Sequence, residues 1–134
     1  MALARLFVRE SLQGLDPSLV DDGVVVVSEL AANAVDHART SYDVHVVAEA
    51  GRARVEVCDQ STTRPLAQRP TRGAERGRGL LLVELIAADW GVEHRPGGKC
   101  VWARVGPGPS GLPWHCYRHG RRSFQLRARP WALA

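Results

Sequence analysis

Two segments of this chain alternate between apolar and polar residues on either side of a glycine-containing turn. The first segment runs from Tyr42 to Ala50 and the second from Ala53 to Asp59, with Gly51-Arg52 between them. Period-two alternation is typical of a strand with one buried face, and a short glycine-containing connection is typical of a hairpin. The chain is therefore predicted to contain an antiparallel sheet that must bury its apolar face under a second layer.

Two helices are predicted before this hairpin. Residues 2–14 place apolar side chains at helical spacing and end at Gly14, a residue common just past a helix end. Asp16-Pro17 supplies an N-cap and a first-turn proline for a second helix that extends to about Ala38. Val24 to Val27 are strand formers, so a strand is an alternative there. The Asp-Pro start and the four-residue spacing further along favour a helix.

A third helix and a second hairpin complete the predicted plan. The helix covers residues 79–88, and the hairpin joins residues 90–94 to residues 99–105 across Pro96-Gly97-Gly98. Residues 60–78 are rich in Thr, Pro, Arg and Gly and are predicted to form a long loop, either a functional lid or a disordered segment. The predicted fold class is an α+β sandwich with a mixed, mostly antiparallel sheet and helices on one face.

The positive charge of the chain is confined to its C-terminal part. Residues 1–105 carry 13 Lys+Arg and 14 Asp+Glu, whereas residues 106–134 carry five Arg and no acidic residue. We therefore expect one domain over residues 1–105 that lacks the basic face needed for direct nucleic-acid binding. Residues 106–134, rich in Pro, Gly and Arg, are expected to be a disordered tail. Binding of an acidic partner, an anionic surface or nucleic acid by this tail is the alternative.

The sequence predicts a cytoplasmic protein without a membrane segment. No apolar stretch approaches the roughly 20 residues needed to span a bilayer. Arg5, Arg9 and Glu10 interrupt any signal-peptide core near the N-terminus. The cysteines are widely spaced and include no CxxC pair, so neither a disulfide framework nor a zinc site is expected: Cys58, Cys100 and Cys116.

A row of polar residues lies within the apolar second helix. Glu29, Asn33 and His37 are four residues apart, which places them one above the other on a single helical face. A carboxylate, an amide and an imidazole on one face can hold a metal ion, position a water molecule and accept a proton. The structural alternative is that Glu29 pairs with an arginine and Asn33 caps a nearby loop.

Two further segments carry candidate binding residues. Asp59 ends its strand on the face predicted to be buried, where a carboxylate can accept a hydrogen bond from an exocyclic amine. A turn-forming Asp is the alternative. Gly77-Arg78-Gly79-Leu80 leads into the third helix, where backbone N–H groups can approach a phosphate and Arg78 can add a charged contact. A flexible hinge is the alternative, and the chain has no P-loop motif.

In this order, the three segments resemble the GHKL (Bergerat-fold) ATP-binding proteins, and most closely their anti-sigma factor serine/threonine kinase branch. Residues 29–38 are similar to the N-box of that branch, and Asp59 occupies the position of its adenine-reading Asp. Residues 77–83 look like the glycine-rich end of the lid, and residues 97–102 look like the final hairpin. The resemblance covers about residues 3–105.

The resemblance implies a role for each candidate residue. Asn33 would coordinate a Mg²⁺ ion that bridges the ATP phosphates, and Glu29 would be the catalytic base or would orient the attacking hydroxyl. Asp59 would accept the adenine amino group, and His37 would have no catalytic role. The phosphates would be contacted by Gly77, Arg78, Gly79 and Leu80.

The resemblance also implies a regulatory function. The protein would sequester a sigma factor, phosphorylate a serine of an anti-anti-sigma protein and have the capacity to form a homodimer. Two departures from the family pattern support an alternative, a degenerate interaction module without catalysis. Gln60 and Ser61 follow Asp59 where the family has a glycine, and Cys100 stands where a Thr hydroxyl usually reaches the adenine pocket. We also expect the chain to lack the leading strand of the family, which contributes to dimer contacts.

Overall fold

The helices follow the predicted order. In the computed structural model, which describes residues 2–38, 40–49, 51–61, 78–106 and 122–128, α1 spans Ala2–Ser11, α2 spans Pro17–Asn33 and α3 spans Arg78–Ile86. The Asp16 carboxylate caps α2 by accepting hydrogen bonds from the Ser18 hydroxyl (2.7 Å) and the Ser18 N–H (2.9 Å). These bonds lower the pKa of Asp16. None of the helices in the described ranges has the length and apolar character that crossing a membrane requires.

Helix α2 changes its winding directly after Asn33. Residues Ala34–Ala38 form a π-helical turn, so the predicted helical segment does reach Ala38. The segment from Val24 to Val27 lies inside α2, and the alternative of a strand there is wrong. A π-helical turn re-aims the side chains around it and is frequent at functional sites. The π-helical turn therefore gives the last residues of this helical segment a different geometry from the regular α-helix before them.

The five strands form one sheet in which every described pairing is antiparallel. Their order across the sheet is β3-β4-β2-β1-β5. Both predicted hairpins are confirmed. The bounds are β1 Tyr42–Glu49, β2 Arg52–Asp59, β3 Asp89–Arg95, β4 Gly98–Val105 and β5 Arg122–Ala128.

The hydrophobic core lies between one face of this sheet and the helices. Val44 and Val46 of β1 and Val55 of β2 are fully buried, as are Val26 and Val27 of α2. Helix α2 packs on β2 and β4, and α1 packs on β1 and β5. The α+β sandwich with helices on one face is thus confirmed.

Strand β5 corrects the expectation of a disordered tail for seven residues. Phe124 and Leu126 face Val46 and Val44 in the β1–β5 register and pack against the core. The Arg127 guanidinium also donates to the Asp43 carboxylate at 2.8 Å. The apolar alternation in this segment is too short to predict a strand alone, and it becomes stable only against the free edge of β1. The remainder of the tail after residue 106 lies outside the described residues.

The expectation that the cysteines form no disulfide is also wrong. Cys58 of β2 and Cys100 of β4 face each other in the strand register and are joined by a disulfide bond. They are 42 residues apart in the chain, so only the pairing of β2 with β4 brings them together. Cys116 lies outside the described residues.

Candidate functional site

At the end of β2, a row of polar side chains crosses three strands on the helix-facing side of the sheet. Asp59 shares this face with Val55 and Val57, as the alternation predicts, and the residue is 9% exposed. The strand register places Tyr42 of β1 on one side of Asp59 and Lys99 of β4 on the other. We refer to these three residues as the Tyr42–Asp59–Lys99 row.

The Asp59 carboxylate is held by Lys99. The Lys99 ammonium donates to Asp59 Oδ1 at 3.1 Å and to Oδ2 at 3.0 Å, and the Ser61 N–H donates to Oδ1 at 2.8 Å. The side chains of Lys99 and Asp59 are only 5% and 4% exposed. Buried charges are tolerated when they are paired and hydrogen-bonded, so each of these groups requires the other. Asp59 is therefore more than a turn-forming residue.

Tyr42 contributes a buried hydroxyl to the row. The residue is 1% exposed, and Tyr42 Oη makes no hydrogen bond to any described residue. Burial raises the pKa of Tyr42, because the charged phenolate is poorly solvated there. A buried hydroxyl without a partner costs free energy in the folded state. The row thus contains one polar group whose hydrogen-bonding capacity no described residue uses.

Helix α2 presents two more polar side chains near this end of the domain. Glu29 is half-buried and forms no hydrogen bond or ion pair with the described part of the chain. Asn33 is also half-buried, and its Nδ2 atom is buried with no partner among the same residues. The structural alternatives, in which Glu29 pairs with an arginine and Asn33 caps a loop, are therefore not supported there. No described residue competes with a ligand for either side chain.

The end of α2 and the end of β2 lie at the same end of the domain. The π-helical turn that follows Asn33 packs against β2. The Gln60 N–H, just after β2, donates to Thr40 Oγ1 at 3.2 Å, just after that turn. Asn33 and Asp59, which are 26 positions apart in the sequence, are thereby brought to the same end of the domain.

The predicted phosphate-binding segment is described only in part. Gly77 lies outside the described residues, as does most of the predicted loop over residues 60–78. Arg78 and Gly79 form the first turn of α3, and Leu80 is buried in the core. α3 therefore begins where the motif predicts a helix N-terminus, with its first backbone N–H groups in the position that favours an anion.

Cys100 is not where the family pattern placed it. The expectation put Cys100 in the adenine pocket, but its side chain points to the opposite face of the sheet, where it is bonded to Cys58. Because successive residues of a strand face opposite sides, the residue that faces Asp59 is Lys99. The expectation is therefore wrong by one residue. The group beside Asp59 is a charged ammonium instead of a thiol, which is only a weak hydrogen-bond donor.

Lys99 and Tyr42 are the two residues of this site that the sequence did not single out. Lys99 is the only lysine in the chain, and the other 17 basic residues are arginines. Composition alone could therefore have marked Lys99 as a candidate. Its contact with Asp59 depends on the register of β2 and β4. No sequence pattern distinguishes Tyr42 from the other apolar residues of its strand.

The donor set suits a nucleotide with a divalent cation. Mg²⁺ prefers oxygen ligands and is usually held by one or two protein groups together with substrate phosphates. Asn33 offers an amide oxygen on a side chain whose Nδ2 has no partner among the described residues, and Glu29 offers a carboxylate that none of the described cations contacts. These residues fit ATP with Mg²⁺, and Asn33 would be the metal ligand.

Comparison with known proteins is consistent with this fold. The family model described as the histidine kinase-like ATPase domain matches residues 1–105. The match ends at the close of β4 and leaves β5 outside it. No curated protein matches the chain.

Proposed function

Because this chain belongs to the histidine kinase-like ATPase domain family, we propose that it is an ATP- and Mg²⁺-binding protein kinase of the anti-sigma type. ATP binding is what membership of this family implies. Family membership alone does not imply serine phosphotransfer or the regulatory partners. These are supported by the resemblance to the anti-sigma branch, which is carried by residues 29–38, Asp59 and residues 77–83.

The polar pair on α2 carries the proposal. Glu29 and Asn33 occupy one face of a helix whose other side packs into the core. No described residue supplies a partner to this half-buried carboxylate or to the amide nitrogen, which costs stability, and such groups are retained where they bind or react. Asp59 lies at the same end of the domain, where it would read the base.

In the proposed mechanism the protein positions the reactants and neutralises charge. Asn33 would hold Mg²⁺, which supplies charge neutralisation at the phosphates. The first turn of α3 would approach the phosphates through Gly79, Leu80 and their neighbours. Glu29 would accept the proton from the serine hydroxyl that attacks the γ-phosphate, and ADP would leave. Little further covalent chemistry is required of the protein.

The proposed partners are a sigma factor, which the protein would sequester, and an anti-anti-sigma protein, which would carry the phosphorylated serine. Both follow from the family resemblance alone. A homodimer and a cytoplasmic location belong to the same proposal.

Calorimetric titration with ATP tests the nucleotide site. Wild-type protein is expected to bind ATP in the presence of Mg²⁺ and to lose most of that affinity in EDTA. Asn33→Ala is expected to lose the Mg²⁺-dependent part of the affinity. Glu29→Ala is expected to keep it but to lose transfer of labelled phosphate to an anti-anti-sigma protein. Glu10→Ala, an exposed acid on α1, is the matched control and should leave both unchanged. Absence of binding at millimolar ATP would refute the proposal.

One observation favours a second candidate function. Asp59 is already paired with Lys99, and both are buried, so the site could be a degenerate one in a module that binds a regulator without turnover. Partner capture that is unaffected by ATP, together with no calorimetric signal for ATP, would establish this second function instead.

A further inference from the structure

We propose that Lys99 and Asp59 together read the Watson–Crick edge of adenine. Asp59 would accept a hydrogen bond from the N6 amino group, and Lys99 would donate one to N1. The inference rests on the proposed ATP-binding function and adds a specificity residue to it, because the resemblance assigned no role to Lys99.

The first argument is the hydrogen-bonding capacity that the pair leaves unused. A carboxylate accepts about four hydrogen bonds and an ammonium donates about three. Among the described residues, Asp59 accepts two from Lys99 and one from Ser61, and Lys99 donates only to Asp59. One acceptor position therefore remains on Asp59 Oδ2 and one N–H remains on Lys99 Nζ. These two atoms are 3.0 Å apart.

The second argument is that adenine presents the complementary pattern. Its N6 amino group is a donor, and the adjacent N1 is an acceptor, so an acceptor beside a donor in the protein matches both. Guanine presents the reverse order, an acceptor at O6 and a donor at N1, and it would face like groups.

The third argument is the rigidity of the pair. Lys99 and Asp59 are directly opposite each other in the β2–β4 register, and the next residues along, Cys58 and Cys100, are covalently bonded. Gly98 brings the start of β4 so close to β2 that a Cβ there would lie 2.1 Å from the Asp59 carbonyl oxygen. Groups held this firmly are suited to discriminating between bases, since a misplaced base leaves buried polar atoms unpaired.

The test uses modified nucleotides, so that the wild-type protein itself can be examined. In 1-deaza-ATP the N1 acceptor is replaced by C–H, while the amino group, the sugar and the phosphates are unchanged. Loss of one hydrogen bond from a charged donor is expected to weaken binding about tenfold or more, measured by calorimetry with Mg²⁺. GTP is expected to bind more weakly than ATP.

Variants of Lys99 then test whether this residue causes the difference in affinity between ATP and 1-deaza-ATP. Lys99→Met, which has no donor, is expected to bind ATP and 1-deaza-ATP equally. Lys99→Gln, which keeps an N–H, is expected to retain part of the difference. Circular dichroism checks that each variant is folded. If a variant does not fold, the comparison of ATP with 1-deaza-ATP on the wild-type protein still tests the inference.

The outcomes separate this inference from the function on which it rests. Equal binding of ATP and 1-deaza-ATP by the wild type would overturn the role of Lys99 while leaving ATP binding intact. Tighter ATP binding by Lys99→Met would also overturn it, because Lys99 would then obstruct the base. If the wild type binds no nucleotide, the proposed function itself fails.

Discussion

Lys99 of β4 lies directly opposite Asp59 of β2, and its ammonium is 3.1 Å and 3.0 Å from the two carboxylate oxygens. This contact crosses 40 positions of the chain and lies on the helix-facing side of the sheet. It decides which charge stands beside Asp59 in the candidate site. It also links the stability of the strand pair to the proposed site, because the same two groups would serve both.

Removing one member of this pair should destabilise the fold. Lys99→Met leaves the Asp59 carboxylate buried without its cation, and loss of one partner of a buried pair typically costs about 3–5 kcal/mol. The free energy of unfolding in urea, measured by circular dichroism, checks this. Arg9→Ala is the control. It removes an exposed pair whose charged atoms are 3.9 Å apart, and it should change stability by less than about 1 kcal/mol. Equal effects of the two substitutions would contradict the assignment of a buried ion pair.

Reduction of the Cys58–Cys100 disulfide should lower the stability of the domain. Opening a loop of 42 residues increases the entropy of the unfolded chain, and the expected cost is about 2–4 kcal/mol. Urea denaturation of the wild type with and without dithiothreitol measures this difference. The double variant Cys58→Ser/Cys100→Ser should show the lower stability in both conditions. A wild type whose unfolding midpoint does not move with dithiothreitol would mean that this bond is absent or has no stabilising effect.

Two glycine substitutions should differ in their effects. In Gly98→Ala the new Cβ would meet the Asp59 carbonyl oxygen at 2.1 Å, so backbone must shift, and we expect a loss of about 1–3 kcal/mol. In Gly23→Ala the nearest atom is Leu12 Cδ1 at 2.7 Å, the end of a flexible side chain. Helix propensity gains up to about 1 kcal/mol there, which offsets the crowding. Thermal unfolding of the two variants makes the comparison, and a Gly98→Ala protein as stable as Gly23→Ala would show that β4 and β2 are less closely apposed.

Tyr42 should make the fold sensitive to high pH. Its pKa is raised by burial above the value of about 10 in the unfolded chain, so the folded state keeps the phenol proton when the unfolded state releases it. The wild type is therefore expected to lose stability relative to Tyr42→Phe as the pH rises above about 10. Below that pH the two proteins should differ by less than about 1 kcal/mol, since no hydrogen bond to a described residue is lost. Urea unfolding between pH 8 and pH 11 tests the difference. Parallel curves would contradict a buried, protonated Tyr42.

The sequence predicted the elements that depend on local pattern. The alternation in β1 and β2, the Asp16-Pro17 start of α2 and the turn at Gly97 each depend on residues within a few positions of one another. Strand β5 was missed for the same reason. Phe124 and Leu126 form a short alternation that becomes a strand only when the edge of β1 is present.

The candidate site was predicted in part. The four-residue spacing of Glu29 and Asn33 predicted that they share one helical face, and the alternation of β2 predicted that Asp59 lies on the buried face of the sheet. Neither pattern could show that both α2 side chains lack partners in the described structure. That result depends on which side chains surround them after folding.

Sequence pattern was enough to predict an α+β sandwich, two hairpins and the face of each polar residue on its own helix or strand, because helical and strand periodicities act over a few residues. It was not enough to predict that Lys99 rather than Cys100 faces Asp59, that Cys100 is bonded to Cys58, or that β5 completes the sheet, and these facts came from the folded structure. These contacts join distant parts of the chain. Their register is set by the burial of whole strands against the helices, and shifting it by one residue would turn every side chain to the opposite face.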